Sequence, residues 1–145
     1  EDAERIAFQF GATVPQQLQK MQEYVTPYAI TFKNVTGLDV SGGEVGAYGK
    51  ASDIALAAVR VYKAYPEIFD TTIVADNENT NDAASDIDFF LAGKTGFTDL
   101  TGGNLFVVVQ KGITHKYAIL ILGSTENGRF VDVENIAKAL LQLSL

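Results

Sequence analysis

Lys94, Thr95 and Gly96 stand in the run Ala92-Gly93-Lys94-Thr95-Gly96-Phe97-Thr98-Asp99, where a polar loop turns into a strand. A lysine ammonium supplies positive charge for a carboxylate and tunes a neighbouring hydroxyl. A threonine adds one directional hydrogen bond, and a glycine lets a ligand or another backbone come close. These types in this order suit one carboxylate-binding wall of a serine acyl-transfer site. Taken alone, such a triplet is far more often an ordinary turn into a strand. A phosphate-binding loop is excluded, because Phe90-Leu91-Ala92-Gly93 precedes Lys94 where a glycine-spaced cradle is needed. His115, the single histidine, invites a general-base role, but it follows the turn at Lys111-Gly112.

The elements that must hold this wall belong to a chain of 145 residues, long enough for one core that buries roughly 65 to 70% of the unfolded surface. Apolar residues make up 47% and charged residues 20%, the balance of a globular domain rather than a disordered segment. A single domain over residues 1–145 is expected. With no cysteine, disulfides and thiolate metal sites are excluded. The net charge of −7 argues against a nucleic-acid partner, which needs a basic footprint. Acidic residues concentrate between Asp70 and Asp88 as a solvated surface, without the spacing or terminal glutamate of an EF-hand. The apolar runs are far short of the ~20 residues that span a membrane, and Glu1 to Arg5 do not form a signal peptide. The lack of an initiating methionine suggests a mature, cleaved or truncated product.

Apolar spacing predicts a helix over Glu1 to Phe10. A second has Thr13 as its cap, Pro15 in its first turn, an apolar set of Val14, Leu18, Met21 and Val25, and Pro27 as its stop. Thr31 to Gly49 reads as an ordered loop rather than a sheet, because turn formers interrupt every candidate strand. Ser52 is the expected cap of a central helix through Ile54, Ala57, Ala58, Val61 and Tyr65, and Pro66 then breaks it. Asn77, Asn79 and Asn81 suit turns in the polar stretch from Asp76 to Asp88. Leu105 to Val109 and Lys116 to Leu122 predict strands covered on most of both faces. A last helix from Val131 to Leu143 presents Val133, Ile136, Ala137, Leu140 and Leu141, with Asp132 and Glu134 near its positive end.

The context of the triplet resembles the serine D-alanyl-D-alanine carboxypeptidases, the low-molecular-weight penicillin-binding proteins. Ala92 to Asp99, Gly102-Gly103-Asn104-Leu105 and Leu120-Ile121-Leu122-Gly123-Ser124 carry the resemblance. So do Phe32-Lys33-Asn34-Val35-Thr36-Gly37-Leu38, Lys50-Ala51-Ser52-Asp53-Ile54-Ala55 and Gly128-Arg129, in family order over residues 1 to about 143. The resemblance implies an α/β (α+β) chain, part of the β-lactamase/transpeptidase-like fold with an antiparallel sheet flanked by helices and its N-terminal portion missing. It implies that Lys94 positions or polarises catalytic hydroxyls and that the Phe97 backbone amide is an oxyanion donor. Thr95, Gly96 and Arg129 would bind the substrate's terminal carboxylate end, while Thr98 and Asp99 fix the strand entrance. No cofactor, metal or histidine is implied. The implied partners are a peptidoglycan stem peptide and β-lactams, in an extracytoplasmic location.

The family's serine and lysine three residues apart are absent, since Ser41, Ser52, Ser85, Ser124 and Ser144 all fail that spacing. Its serine-variable-asparagine motif also fails, because Ser85-Asp86-Ile87 ends on isoleucine. Glu1-Asp2-Ala3-Glu4 resembles the helix after that motif, so the chain reads as the C-terminal part of a catalytic domain. A nucleophile and base must lie within hydrogen-bond reach, so these residues are expected to be inactive alone. They would be completed by the missing N-terminal part or by a swapped copy. The alternatives are an inactive binding module of the same fold, part of a β-lactamase-like hydrolase, or a structural domain. Missing strands would leave a sheet edge exposed.

Overall fold

The computed structural model describes residues 13–40, 42–72 and 87–143. The helix expected over Glu1 to Phe10 and the stretch 76–86 lie outside the described residues. The chain divides into two compact units, residues 1–57 and 58–145.

In the first unit, helix α1 (Val14–Tyr24) starts after Thr13 with Pro15 in its first turn, as the sequence predicts. Gln16 Oε1 accepts from the Thr13 backbone N–H at 2.9 Å and from its hydroxyl at 3.0 Å, which satisfies a donor at the helix entrance. The helix ends before Pro27, with Val25 as its C-cap. The region from Thr31 to Gly49 is not purely loop: β1 (Ile30–Phe32) pairs antiparallel with β2 (Ala47–Gly49) at its two ends. Gln22 is one reason for the difference. Its side-chain amide donates to the Ile30 carbonyl at 2.8 Å and accepts from the Phe32 N–H at 3.1 Å, as a neighbouring strand would. Between the strands Asn34 Oδ1 accepts from the Thr36 and Gly37 backbone N–H groups, the local turn chemistry that the asparagine and glycines predict. Val25, Ile30 and Ala57 form the small core of this unit.

Helix α2 (Ala51–Ala64) corrects the expected cap, since Ser52 is its second residue. The Lys50 carbonyl accepts from the Asp53 and Ile54 N–H groups and opens the helix two residues earlier. The Asp53 carboxylate is instead spent on the Ala29 N–H, at 3.0 Å.

The second unit takes the end of α2, a 3₁₀ segment (Pro66–Thr72), strands β3 (Phe90–Thr98), β4 (Gly102–Lys111) and β5 (His115–Ser124), and helix α3 (Gly128–Gln142). The strands form an antiparallel sheet in the order β3-β4-β5. Leu105 through Val109 in β4 are all buried. Because strand side chains alternate, Leu105, Val107 and Val109 pack with Ile119 and with Val133 and Ala137 of α3. Phe106 and Val108 pack on the other face with Ala92 and Phe69, flanked by Ala58, Val61 and Tyr62. The continuous apolar run therefore means what it predicts for β4, with each buried valine contributing roughly 1.5 to 3 kcal/mol.

The same expectation fails for β5, where only Ile119 is buried. Among the described residues β5 pairs with β4 alone, so an apolar run there is not matched by cover. Helix α3 also begins three residues ahead of the expected Val131. Thr125 explains this: its hydroxyl accepts from the Gly128 N–H at 2.9 Å and its carbonyl from the Arg129 N–H at 3.2 Å. Asp132 thus falls beyond the first turn and accepts from the Ser124 hydroxyl at 2.8 Å, and Ile136 is exposed rather than in the core stripe.

Gly102 and Gly103 let the end of β5 lie close over the start of β4. A Cβ on Gly102 would meet the Ser124 carbonyl at 2.7 Å, and one on Gly103 would run into the Thr125 carbonyl, both rigid backbone. Gly103→Ala is expected to cost about 2 kcal/mol through this overlap, read as a lowered denaturant midpoint with an unchanged slope.

Candidate active-site wall on strand β3

The site residues of β3 are set by its register with β4. Lys94 lies opposite Phe106 and Thr95 opposite Leu105, so their side chains leave opposite faces of the strand. Lys94 shares the face of Phe106 and Phe69, while Thr95 shares the face covered by α3. Among the described residues β3 pairs only with β4, which leaves its other edge without a strand. Gly96 sits midway along this edge, and a Cβ there would meet no atom within 4 Å.

Lys94 is exposed, and its Nζ donates to the Thr95 backbone carbonyl. Crowding of the ammonium by protein atoms, and then the positive charge of Arg129, lower its pKa below the usual 10.5. The sign follows directly. Protonated Lys94 opposes folding at pH below its native pKa, and that cost fades as pH rises through the native pKa toward 10.5. An NMR titration of the Lys94 side chain is expected to give a pKa below 10.5, which Arg129→Met moves upward by removing the second charge.

Arg129 is the one buried charged side chain among the described residues, 6% exposed. The path of the chain delivers it. Phe97 pairs with Gly103 and Gly103 with Ser124, so the end of β5 stands level with the site across the sheet. The turn at Thr125 then starts α3, and its second residue reaches back beneath β3. Arg129 Nη1 donates to the Gly96 carbonyl at 2.6 Å, and the guanidinium carbon lies 4.7 Å from the centre of the Phe130 ring. Arg129 Nε is buried without a hydrogen-bond partner. A charge-assisted bond to a main-chain carbonyl is stronger than a neutral one.

The two motif segments, 33 positions apart from Gly96 to Arg129, are therefore in direct contact. Thr98 serves the hairpin: its hydroxyl lies 2.7 Å from that of Thr101 and accepts from the Thr101 N–H at 3.1 Å. Asp99 is exposed in the turn that follows. His115 pairs with Lys111 at the opposite end of the β4–β5 ladder from Gly103 and Ser124, so it is not brought to this site. A shallow hollow lined by Ile87, Asp88, Glu134, Ala137, Lys138 and Leu141 includes none of the site residues.

Asn104 carries a role that the reading of motifs missed. Its Nδ2 donates to the Thr101 hydroxyl at 3.2 Å and to the Gly102 carbonyl at 3.1 Å, while its Oδ1 accepts from the Gly123 N–H at 3.1 Å. One side chain thereby joins the β3–β4 turn to the end of β5, at the register shift between Gly103 and Leu105. The signal available was an asparagine directly after two turn glycines.

Comparison with known proteins returns one consistent group. The structure of penicillin-binding protein D2 from Listeria monocytogenes in its ampicillin-bound form superposes with a TM-score of 0.69 at 27% identity, over 83% of this chain and 53% of that one. The cefotaxime-bound form of the same protein gives 0.69 at 26% identity, over 86% and 53%. A D-alanyl-D-alanine carboxypeptidase from Mycobacterium tuberculosis shares the fold, with a TM-score of 0.70 at 18% identity over 93% and 58%. The chain spans between half and two thirds of the length of these structures. No protein-family model and no curated protein matches it. Among the described residues, no helix is long and apolar enough to cross a membrane.

Proposed function

Given that the chain belongs to the penicillin-binding-protein-like serine hydrolases, we propose that it supplies one wall of a D-alanyl-D-alanine carboxypeptidase site. The nucleophilic serine and its base come from a part of the protein outside this sequence. The observation that carries this reading is the bond from buried Arg129 to the Gly96 carbonyl, which joins the lysine-threonine-glycine segment to the glycine-arginine segment on a strand whose outer edge has no strand partner among the described residues.

A stem peptide ending in D-alanyl-D-alanine lies along that edge, meeting Lys94 from one face and Thr95 from the other. Its terminal carboxylate is held by Thr95 and the Arg129 guanidinium, and Gly96 leaves room for its backbone. The serine oxygen attacks the penultimate carbonyl carbon as the base removes its proton. The oxyanion that forms is held by the Phe97 N–H, a contribution of a few kcal/mol in an enclosed site. Lys94 supplies positive charge beside the reacting hydroxyls, and its lowered pKa eases proton exchange with them. The C–N bond breaks, the amine of the leaving D-alanine takes the proton, and water hydrolyses the acyl-enzyme. A penicillin acylates the same serine, in keeping with the ampicillin and cefotaxime held by the Listeria protein. Work on a cell-wall peptide would call for a location outside the cytoplasm.

Fluorescent penicillin tests the proposal on this chain and on the complete protein from its gene. Covalent labelling of the complete protein only is the expected result. Labelling of these 145 residues alone would refute the division of the site. A complete protein that takes no label would instead be an inactive binding module of the same fold.

A further inference from the structure

The Gly96 carbonyl that accepts from Arg129 belongs to the same peptide group as the Phe97 N–H. No described peptide bond is cis, and in a planar trans peptide the C=O and the N–H point in opposite directions. Whatever holds the carbonyl therefore aims the amide. A cation bonded to the oxygen also draws electron density from the nitrogen, which makes the N–H a stronger donor, the cooperative effect seen in hydrogen-bond chains.

We propose that Arg129 is a positioning residue that acts through the Gly96–Phe97 peptide, aiming and polarising the Phe97 N–H toward the oxyanion. The inference rests on the function proposed above, but it differs from a contact with the substrate carboxylate, because the guanidinium works on the protein's own backbone. Three observations support it. The guanidinium is withdrawn from solvent, its Nη1 is only 2.6 Å from the carbonyl oxygen, and the Phe130 ring lies against it. The Gly96–Phe97 peptide lies in the β3–β4 ladder, where Gly96 pairs with Asn104 and Phe97 with Gly103, and no described strand pairs along the outer edge of β3. With the Phe97 N–H aimed at that open edge the Gly96 carbonyl faces β4, where Arg129 from α3 adds a charged donor to the hold of the ladder.

Two substrates separate the roles in the complete, penicillin-reactive protein: a peptide with a free terminal carboxylate and a thioester analogue without one. If Arg129 acts through the peptide, Arg129→Met lowers kcat by roughly 10²-fold on both, with little change in KM for the analogue. Arg129→Lys, which keeps the charge and loses the fork, recovers part of the loss on both. A loss confined to the carboxylate-bearing substrate overturns the proposal and leaves Arg129 a substrate ligand only.

The backbone can also be read without turnover. In this chain the Phe97 amide nitrogen resonance is expected to move upfield in Arg129→Met and in Arg129→Lys, and an unmoved resonance in folded variants overturns the proposal. If both variants unfold, a scalar coupling between the Arg129 guanidinium nitrogen and the Gly96 carbonyl carbon in the wild type decides: its presence supports the contact and its absence overturns it. These spectra stand even if the complete protein takes no penicillin, a result that would sink the proposed function instead.

Discussion

Lys94→Ala in the complete protein is expected, on the function proposed above, to slow acylation by penicillin about 10³-fold, within the range for loss of a positioned proton-transfer or charge-stabilising group. Lys94 is exposed on β3, and its ammonium already bonds to main chain rather than packing in a core, so removal leaves the fold intact. The loss should therefore appear in the rate of covalent capture with no fall in melting temperature. Stopped-flow acylation beside a thermal melt checks both halves of the expectation. Lys138→Gln is a useful control, because Lys138 pairs with Glu134 one turn away on α3 in a surface ion pair. Such pairs contribute roughly 0 to 1 kcal/mol and lie outside the chemistry.

The second large effect is on stability. Leu105 is 1% exposed and packs beneath α3 against Val107, Val109, Val133 and Ala137. Leu105→Ala removes that contact and leaves a cavity in a sheet that cannot collapse around it, because Phe106 and Val108 hold the opposite face of the same strand. A loss of about 3 kcal/mol is expected, against a typical range of 2 to 5 for such truncations. Ile113, 93% exposed in the β4–β5 turn, gives the contrast. Ile113→Ala should stay within ~0.5 kcal/mol of the parent. Denaturant unfolding of the three proteins tests the difference, and equal midpoints would contradict a two-faced core around β4.

The sequence showed the strongest elements because their signals were local. Thr13 and Pro15 marked the start of α1, and five consecutive apolar residues from Leu105 marked a strand covered on both sides. Lys94, Thr95 and Gly96 stand out as candidates by residue type and context. What remained hidden depends on partners distant in the chain. Nothing near Ile30 announces that the Gln22 amide will satisfy its carbonyl, so the short β1–β2 pair read as loop. Ser52 looked like a cap because serine favours that position, yet the helix opens at Lys50 with Asp53 turned to Ala29. Arg129 stands out in the sequence as a candidate through the company of Gly128. Its burial against Gly96 was not, since that follows from a cross-sheet register involving Phe97, Gly103 and Ser124.

The three strands follow one another without excursion, joined by tight turns at Asp99–Thr101 and Gly112–Thr114, and the most distant paired residues are Gly103 and Ser124. Closing short loops costs little entropy, and domains rich in such near-neighbour pairings fold fast. Helix α3 follows β5 after a short turn, so Arg129 is seated beneath Gly96 without any excursion of the chain from the sheet. The sheet carrying Lys94 thus has the connectivity of an early folding unit, able to take shape on its own clock.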